Sequence, residues 1–144
     1  MAGGQCLDIA AEGASLSLSE LQTLHGAKTG ALIRVAVQLG ALCGARAPSD
    51  EEMLLLTEYG NRIGLAFQVM DDVLDVTASS ETLGKPAGSD EHKDKSTFPK
   101  LMGIEQARQL ADTLVTEAES ILVRTKLNTQ LLGQLTRLVV DRSH

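Results

Sequence analysis

Residues 64–75 read GLAFQVMDDVLD, and they set three carboxylates, Asp71, Asp72 and Asp75, inside a run otherwise apolar enough for a protein core. On a helix turning about 100° per residue, the three lie at about −60°, +40° and −20° from Gln68, so four polar groups share one arc. Met70, Val73 and Leu74 occupy the far side. Gly64 falls on the polar arc one turn earlier, where the missing side chain would let a ligand approach the backbone. Like charges one turn apart cost about a few tenths of a kcal/mol on a wet surface and more when partly buried. Either the arc faces water, which absorbs that cost, or it lines a cavity where a cation offsets it. The apolar neighbours Leu65, Phe67, Val69 and Val76 leave only a narrow polar stripe, which favours the cavity. Hard oxygen donors at this spacing suit Mg²⁺, which is bound by one or two carboxylates, several waters and the phosphates of a substrate.

Outward from this stretch, helical periodicity continues upstream to a capping box of Ser49 with Glu52, preceded by Pro48 and reinforced by acidic Asp50, Glu51 and Glu52 in the first turn. The helix is expected to end near Thr77. From 78 to 100 the pattern is lost in a polar stretch with two glycines and two prolines, read as a long functional loop. Helical spacing returns at Ile104, Ala107, Leu110, Ala111, Leu114, Val115, Ala118, Ile121 and Leu122, and again at Leu131, Leu132, Leu135, Leu138 and Val139. Upstream, a helix is expected within residues 1–12 after the Gly3–Gly4 pair. A Ser19–Gln22 capping box should open another that runs to about Gly44. Five helices and one loop thus make a single all-α domain over residues 1–144, with no strand pattern and no linker.

Composition agrees. Hydrophobic residues are 43% of the 144 and aromatics only 2%, so the core must come from Leu, Val, Ile, Met and Ala, which favours helices. The net charge of −6 denies the basic face that nucleic acid requires. The apolar runs are too short for a membrane span and no charged-then-apolar leader opens the chain, so a soluble, cytoplasmic protein is expected. Cys6 and Cys43 have no metal-ligand spacing and are read as buried free thiols.

On the second helix Lys28 falls in the middle of the stripe formed by Leu21, Leu24, Leu32, Val35 and Leu39, whereas Arg34 points away as ordinary surface. The Lys28 ammonium either snorkels to water or reaches into the same cavity to meet an anion. The loop adds Lys85, Lys93 and Lys95; metal and ammonium groups together would neutralise a leaving diphosphate. His25, His92 and His144 have no partners at helical spacing, and neither a nucleophile elbow nor a P-loop is present.

The segments Gly4-Gln5-Cys6-Leu7-Asp8, Lys28-Thr29-Gly30, Gly64 to Asp75, Gly84-Lys85 and Lys95-Ser96-Thr97-Phe98-Pro99 resemble, in order, motifs of the trans-isoprenyl diphosphate synthases, the polyprenyl synthetase family, and most of all its bacterial farnesyl-diphosphate-forming members. The resemblance implies the C-terminal half of an isoprenoid-synthase helical bundle. It also implies a Mg²⁺-dependent prenyltransferase of isoprenoid biosynthesis that condenses isopentenyl diphosphate with an allylic diphosphate, geranyl to farnesyl. In that case Asp71 contacts the metal, with Asp72 and Asp75 in support. Lys28 and Lys85, with Lys95, grip the allylic diphosphate, and Thr29 and Gln68 aim oxygen dipoles at the developing carbocation. Gln5, Asp8 and Phe67 support the site. Full-length members also carry an upstream aspartate-rich motif followed by an arginine pair, absent from this sequence. The resemblance therefore implies a chain inactive alone, which pairs with the missing N-terminal half or forms a homo-oligomer. A non-catalytic helical partner or pseudo-enzyme subunit is the alternative.

Overall fold

The computed structural model describes residues 1–83 and 95–141, and every regular element among them is helical. In chain order these are α1 (Ala2–Ala10), α2 (Leu18–His25), a single π-helical turn (Gly26–Gly30), α3 (Ala31–Leu42), α4 (Asp50–Leu83), α5 (Phe98–Met102), α6 (Ile104–Arg124) and α7 (Gln130–Val140). The all-α bundle expected from the sequence is what forms.

α4 is the spine. Leu55, Tyr59, Ile63, Ala66, Met70 and Val73 recur at helical spacing and are all buried, as are Ala107, Ala111, Leu114, Ala118 and Ile121 of α6, and the two helices form the most extensive contact in the molecule. α7 closes one end, where the Tyr59 hydroxyl and Thr136 Oγ1 meet at 2.9 Å in a buried pair. On its other side α4 takes α3 along an antiparallel seam of small and polar residues. A Cβ on Gly64 would meet Gly30 Cα at 2.9 Å, and one on Gly60 would meet Arg34 Cα at 2.8 Å. Arg34 donates to Asn61 Oδ1 at 3.0 Å, and Gln38 to Thr57 Oγ1 at 2.8 Å.

The π turn changes the expected register. One extra residue in a turn rotates the helix beyond it by about 100°. Leu21 and Leu24 are therefore buried as expected, but Leu32, Val35 and Leu39 are 44–55% exposed, and Arg34, expected on the surface, is turned onto α4. Gly64 likewise serves the close approach of α4 to the π turn rather than a ligand.

Other boundaries move for local reasons. α2 is capped by Ser17 with Glu20 instead of Ser19 with Gln22: Ser17 N–H donates to Glu20 Oε2 at 2.8 Å and Glu20 N–H to Ser17 Oγ at 3.4 Å. An ionised carboxylate accepts more strongly than an amide and suits the helix N-terminus. The Ser49–Glu52 box forms as expected. α1 begins before the glycine pair and includes it, because buried Gly4 lies against the π turn, where a Cβ would come within 2.5 Å of the Ala27 carbonyl. α4 continues past Thr77 to Leu83, and α5 starts inside the stretch expected to be loop. Between α5 and α6, Gly103 takes a φ of 87°, a left-handed conformation that glycine adopts without strain. Cys6 and Cys43 are free but exposed, not buried: Cys6 is on the outer side of α1 and Cys43 caps the end of α3.

Candidate functional site

The π turn projects Lys28 toward α1, where Asp8 receives it: Lys28 Nζ donates to Asp8 Oδ2 at 2.5 Å, with about a third of the lysine side chain exposed. Lys95, from the segment ahead of α5, brings its Nζ to 3.9 Å from the same oxygen. The hydrogen bond from Lys28 holds the Asp8 carboxyl below its ordinary range, and the charges of Lys28 and Lys95 add to the effect against partial burial. Thr29, half-buried, follows Lys28 within the turn.

The carboxylates of α4 differ from one another. Asp75 is exposed, whereas Asp71 and Asp72 are half-buried. Asp72 Oδ2 accepts the Phe98 N–H at 3.0 Å, at the first turn of α5, which Thr97 caps through Lys100 N–H. Burial pushes the Asp72 carboxyl up to about 6, the neighbouring charges of Asp75 and Asp71 add to this, and the Phe98 bond opposes it. Gln68 Nε2 points at Asp71 Oδ2, 3.4 Å away, which turns the amide oxygen elsewhere.

His25, which has no partner at helical spacing, sits between the two groups. Its ring stacks on Phe98 with centroids 5.6 Å apart, and neither buried nitrogen has a hydrogen-bond partner among the described residues. Burial keeps the imidazole below its ordinary pKa, the nearby Gln68 and Asp8 pull the other way, and Lys28 reinforces the shift. No spacing rule reaches across α2, α4 and α5; the one signal in the sequence is a histidine three residues from the lysine.

The structure thus joins Asp8, Lys28 and Lys95 at one point, and links Asp72 through Phe98 to His25. Gln5 is exposed, and Phe67 is half-buried on α4. Lys85 and Lys93 lie outside the described residues. Among the described residues no three acidic, imidazole or thiol groups gather closely enough to form a protein-only metal cage. The donor set nonetheless fits Mg²⁺, because Asp71 and Asp75 are hard oxygen donors one turn apart on a helix face and Mg²⁺ takes its remaining ligands from water and phosphate.

The model of the polyprenyl synthetase family matches residues 1–128. The chain is 44% identical over 146 residues to the farnesyl diphosphate synthase of Escherichia coli, covering 99% of this chain and 48% of that protein. It is 38% identical to the farnesyl diphosphate synthase of Bacillus subtilis, covering 100% of this chain and 48% of that protein. The crystal structure of the geranyltransferase from Helicobacter pylori complexed with magnesium and isoprenyl diphosphate superposes with a TM-score of 0.75 at 34% identity, covering 98% of this chain and 46% of that one. The chain spans about half the length of the curated relatives it matches.

Proposed function

Because the chain belongs to the polyprenyl synthetase family, we propose that it carries the diphosphate-binding half of a Mg²⁺-dependent site that joins isopentenyl diphosphate to an allylic diphosphate, geranyl to farnesyl. The observation that carries this proposal is the convergence of Lys28 and Lys95 beside a helix end whose Phe98 N–H holds Asp72.

Bound Mg²⁺ would supply Lewis-acid neutralisation of the diphosphate oxygens as the allylic C–O bond breaks. Asp71 would contact it, Asp75 would support it through water, and Asp72, fixed by the Phe98 N–H, would keep the carboxylate face oriented. The Lys28, Lys85 and Lys95 ammonium groups grip the diphosphate, so that negative charge growing on the leaving group meets fixed positive charge. The Thr29 hydroxyl and the Gln68 amide oxygen stabilise the allylic cation; the Gln68 nitrogen, directed at Asp71, orients the amide for that role. The π electrons of isopentenyl diphosphate attack the cation, and the released diphosphate removes the final proton. Gln5, Asp8 and Phe67 shape this wall of the cavity.

The sequence holds one aspartate-rich motif, and the reaction as proposed needs a second carboxylate set across the cavity. The chain alone is therefore expected to give no farnesyl diphosphate from geranyl and isopentenyl diphosphates with Mg²⁺. Co-expressed and co-purified with the remaining half of the Escherichia coli relative, it should give product, and Asp71→Asn should abolish it. Turnover by the chain alone would contradict the claimed incompleteness; no product from a co-purified pair would contradict the function.

A second role, as a non-catalytic helical partner, is favoured by a different observation. Leu32, Val35, Leu39 and Leu42 form one exposed stripe on α3, and Leu131, Leu135 and Leu138 another on α7. Apolar faces of this kind mark association surfaces, either for a second copy or for a complementary half.

A further inference from the structure

Asp8 collects two cations that no local sequence rule brings together. Lys28 comes from the π turn and Lys95 from the segment before α5, and both approach the same Asp8 oxygen. The backbone at and just after Lys95 is docked. Ser96 Oγ accepts the Leu16 N–H at 2.9 Å and donates to Ala14 O at 3.4 Å, tying it to the α1–α2 corner. The Lys95 carbonyl accepts from Lys100 Nζ at 2.7 Å. Lys28 is fixed as firmly, because Gly4 lets α1 lie directly on the backbone of the turn that presents it. Both lysine stems thus start from anchored backbone, and the carboxylate decides where their flexible ends meet.

We propose that Asp8 is a positioning residue that yokes Lys28 and Lys95 into one clamp for an anion with two adjacent charged groups, a diphosphate; this identity of the anion rests on the function proposed above. Without the carboxylate, two ammonium groups close together repel, and each long stem regains its rotamer freedom. With it, the trio keeps one net positive charge and a fixed spacing before the ligand arrives. Asp8 does not itself bind the anion, since a carboxylate repels phosphate oxygens. Removing its charge alone would strengthen anion binding, so a weakening on substitution isolates the positioning effect.

The test uses Asp8→Asn and Asp8→Glu, with helicity verified by circular dichroism. Pulse acetylation read by mass spectrometry compares Lys28 and Lys95 with the exposed Lys126 as internal standard. Asp8→Asn should acetylate at Lys28 and Lys95 about three- to tenfold faster than wild type, with Lys126 unchanged. Inorganic pyrophosphate, titrated calorimetrically with Mg²⁺, should bind Asp8→Asn about fivefold more weakly, and Asp8→Glu should recover part of the loss. A helix-to-turn tie with no role in the clamp would lower thermal stability without weakening pyrophosphate binding. Unchanged acetylation in a folded Asp8→Asn chain, or pyrophosphate binding as tight as wild type, overturns the proposal. If Asp8→Asn does not fold, Asp8→Glu decides: wild-type protection of both lysines supports the yoke, and loss of protection with full pyrophosphate affinity overturns it. Failure of wild type to bind pyrophosphate sinks the diphosphate function, while acetylation still decides whether Asp8 holds the two lysines.

Discussion

Glu52 anchors the start of α4 through three hydrogen bonds from two partners: Arg46 grips both carboxylate oxygens at 2.8 and 2.6 Å, and the Ser49 N–H donates to it at 2.9 Å. Arg46 is the main cause that brings the carboxyl down to about 2 from an ordinary 4.5, and the Ser49 N–H comes next. A carboxyl whose folded pKa is depressed contributes stability that is complete above its unfolded value and lost as pH falls through the folded one. The Glu52 contribution to urea midpoints should therefore be full and independent of pH above 4.5 and be lost as pH falls toward 2. Glu52→Gln should flatten that part of the acid limb; an unaltered acid limb would contradict it. This box is legible in the sequence because both partners lie three residues apart, and so is the acidic arc, which needs only helical geometry. Ser17–Glu20 and its neighbour Ser19–Gln22 satisfy the same spacing, and only acceptor strength separates them. The pairing of Lys28 with Asp8 depends on tertiary contact across 20 residues and has no local signature.

The π turn is the element that sets the geometry of the site, and a helical wheel that assumes one uniform period cannot register it. Such a wheel phases the residues before Lys28 correctly and those after it incorrectly, which is why Leu32 and Leu39 are exposed and Arg34 turns inward. Glycines on both sides hold the turn: Gly4 from α1 and Gly64 from α4. Gly64→Ala brings a methyl to 2.9 Å from the Gly30 backbone, and backbone cannot give way as a side-chain tip can. It should cost about 1–3 kcal/mol in urea unfolding, with a larger proportional loss of pyrophosphate affinity than Gly133→Ala, where the added methyl meets open space. Equal effects at both positions would show that the close approach does not constrain the turn. In the core, Leu114→Ala should cost about 2–5 kcal/mol in urea unfolding, because its buried neighbours one turn away on α6, Ala111 and Ala118, are too small to refill the space.

At the scale of the molecule, the hydrophobic pattern predicts the spine and its partner α6, because each buries one face over several turns, from Leu55 to Val73 and from Ala107 to Leu122. It does not reveal that α3 and α7 leave apolar faces in solvent within this chain. Sedimentation analysis should find the chain associated at micromolar concentration, and Leu32→Glu with Leu39→Glu should return it toward a monomer with its helicity intact. A monomeric wild type would contradict the association surface. The proposed function requires above all that Lys28 and the α4 aspartates act on one diphosphate through one metal, and calorimetric titration of inorganic pyrophosphate, with and without Mg²⁺, tests this directly. Wild type should bind only with Mg²⁺, and Lys28→Gln and Asp71→Asn should each weaken binding by about tenfold or more. Binding that is indifferent to Mg²⁺, or retained in both variants, would contradict it.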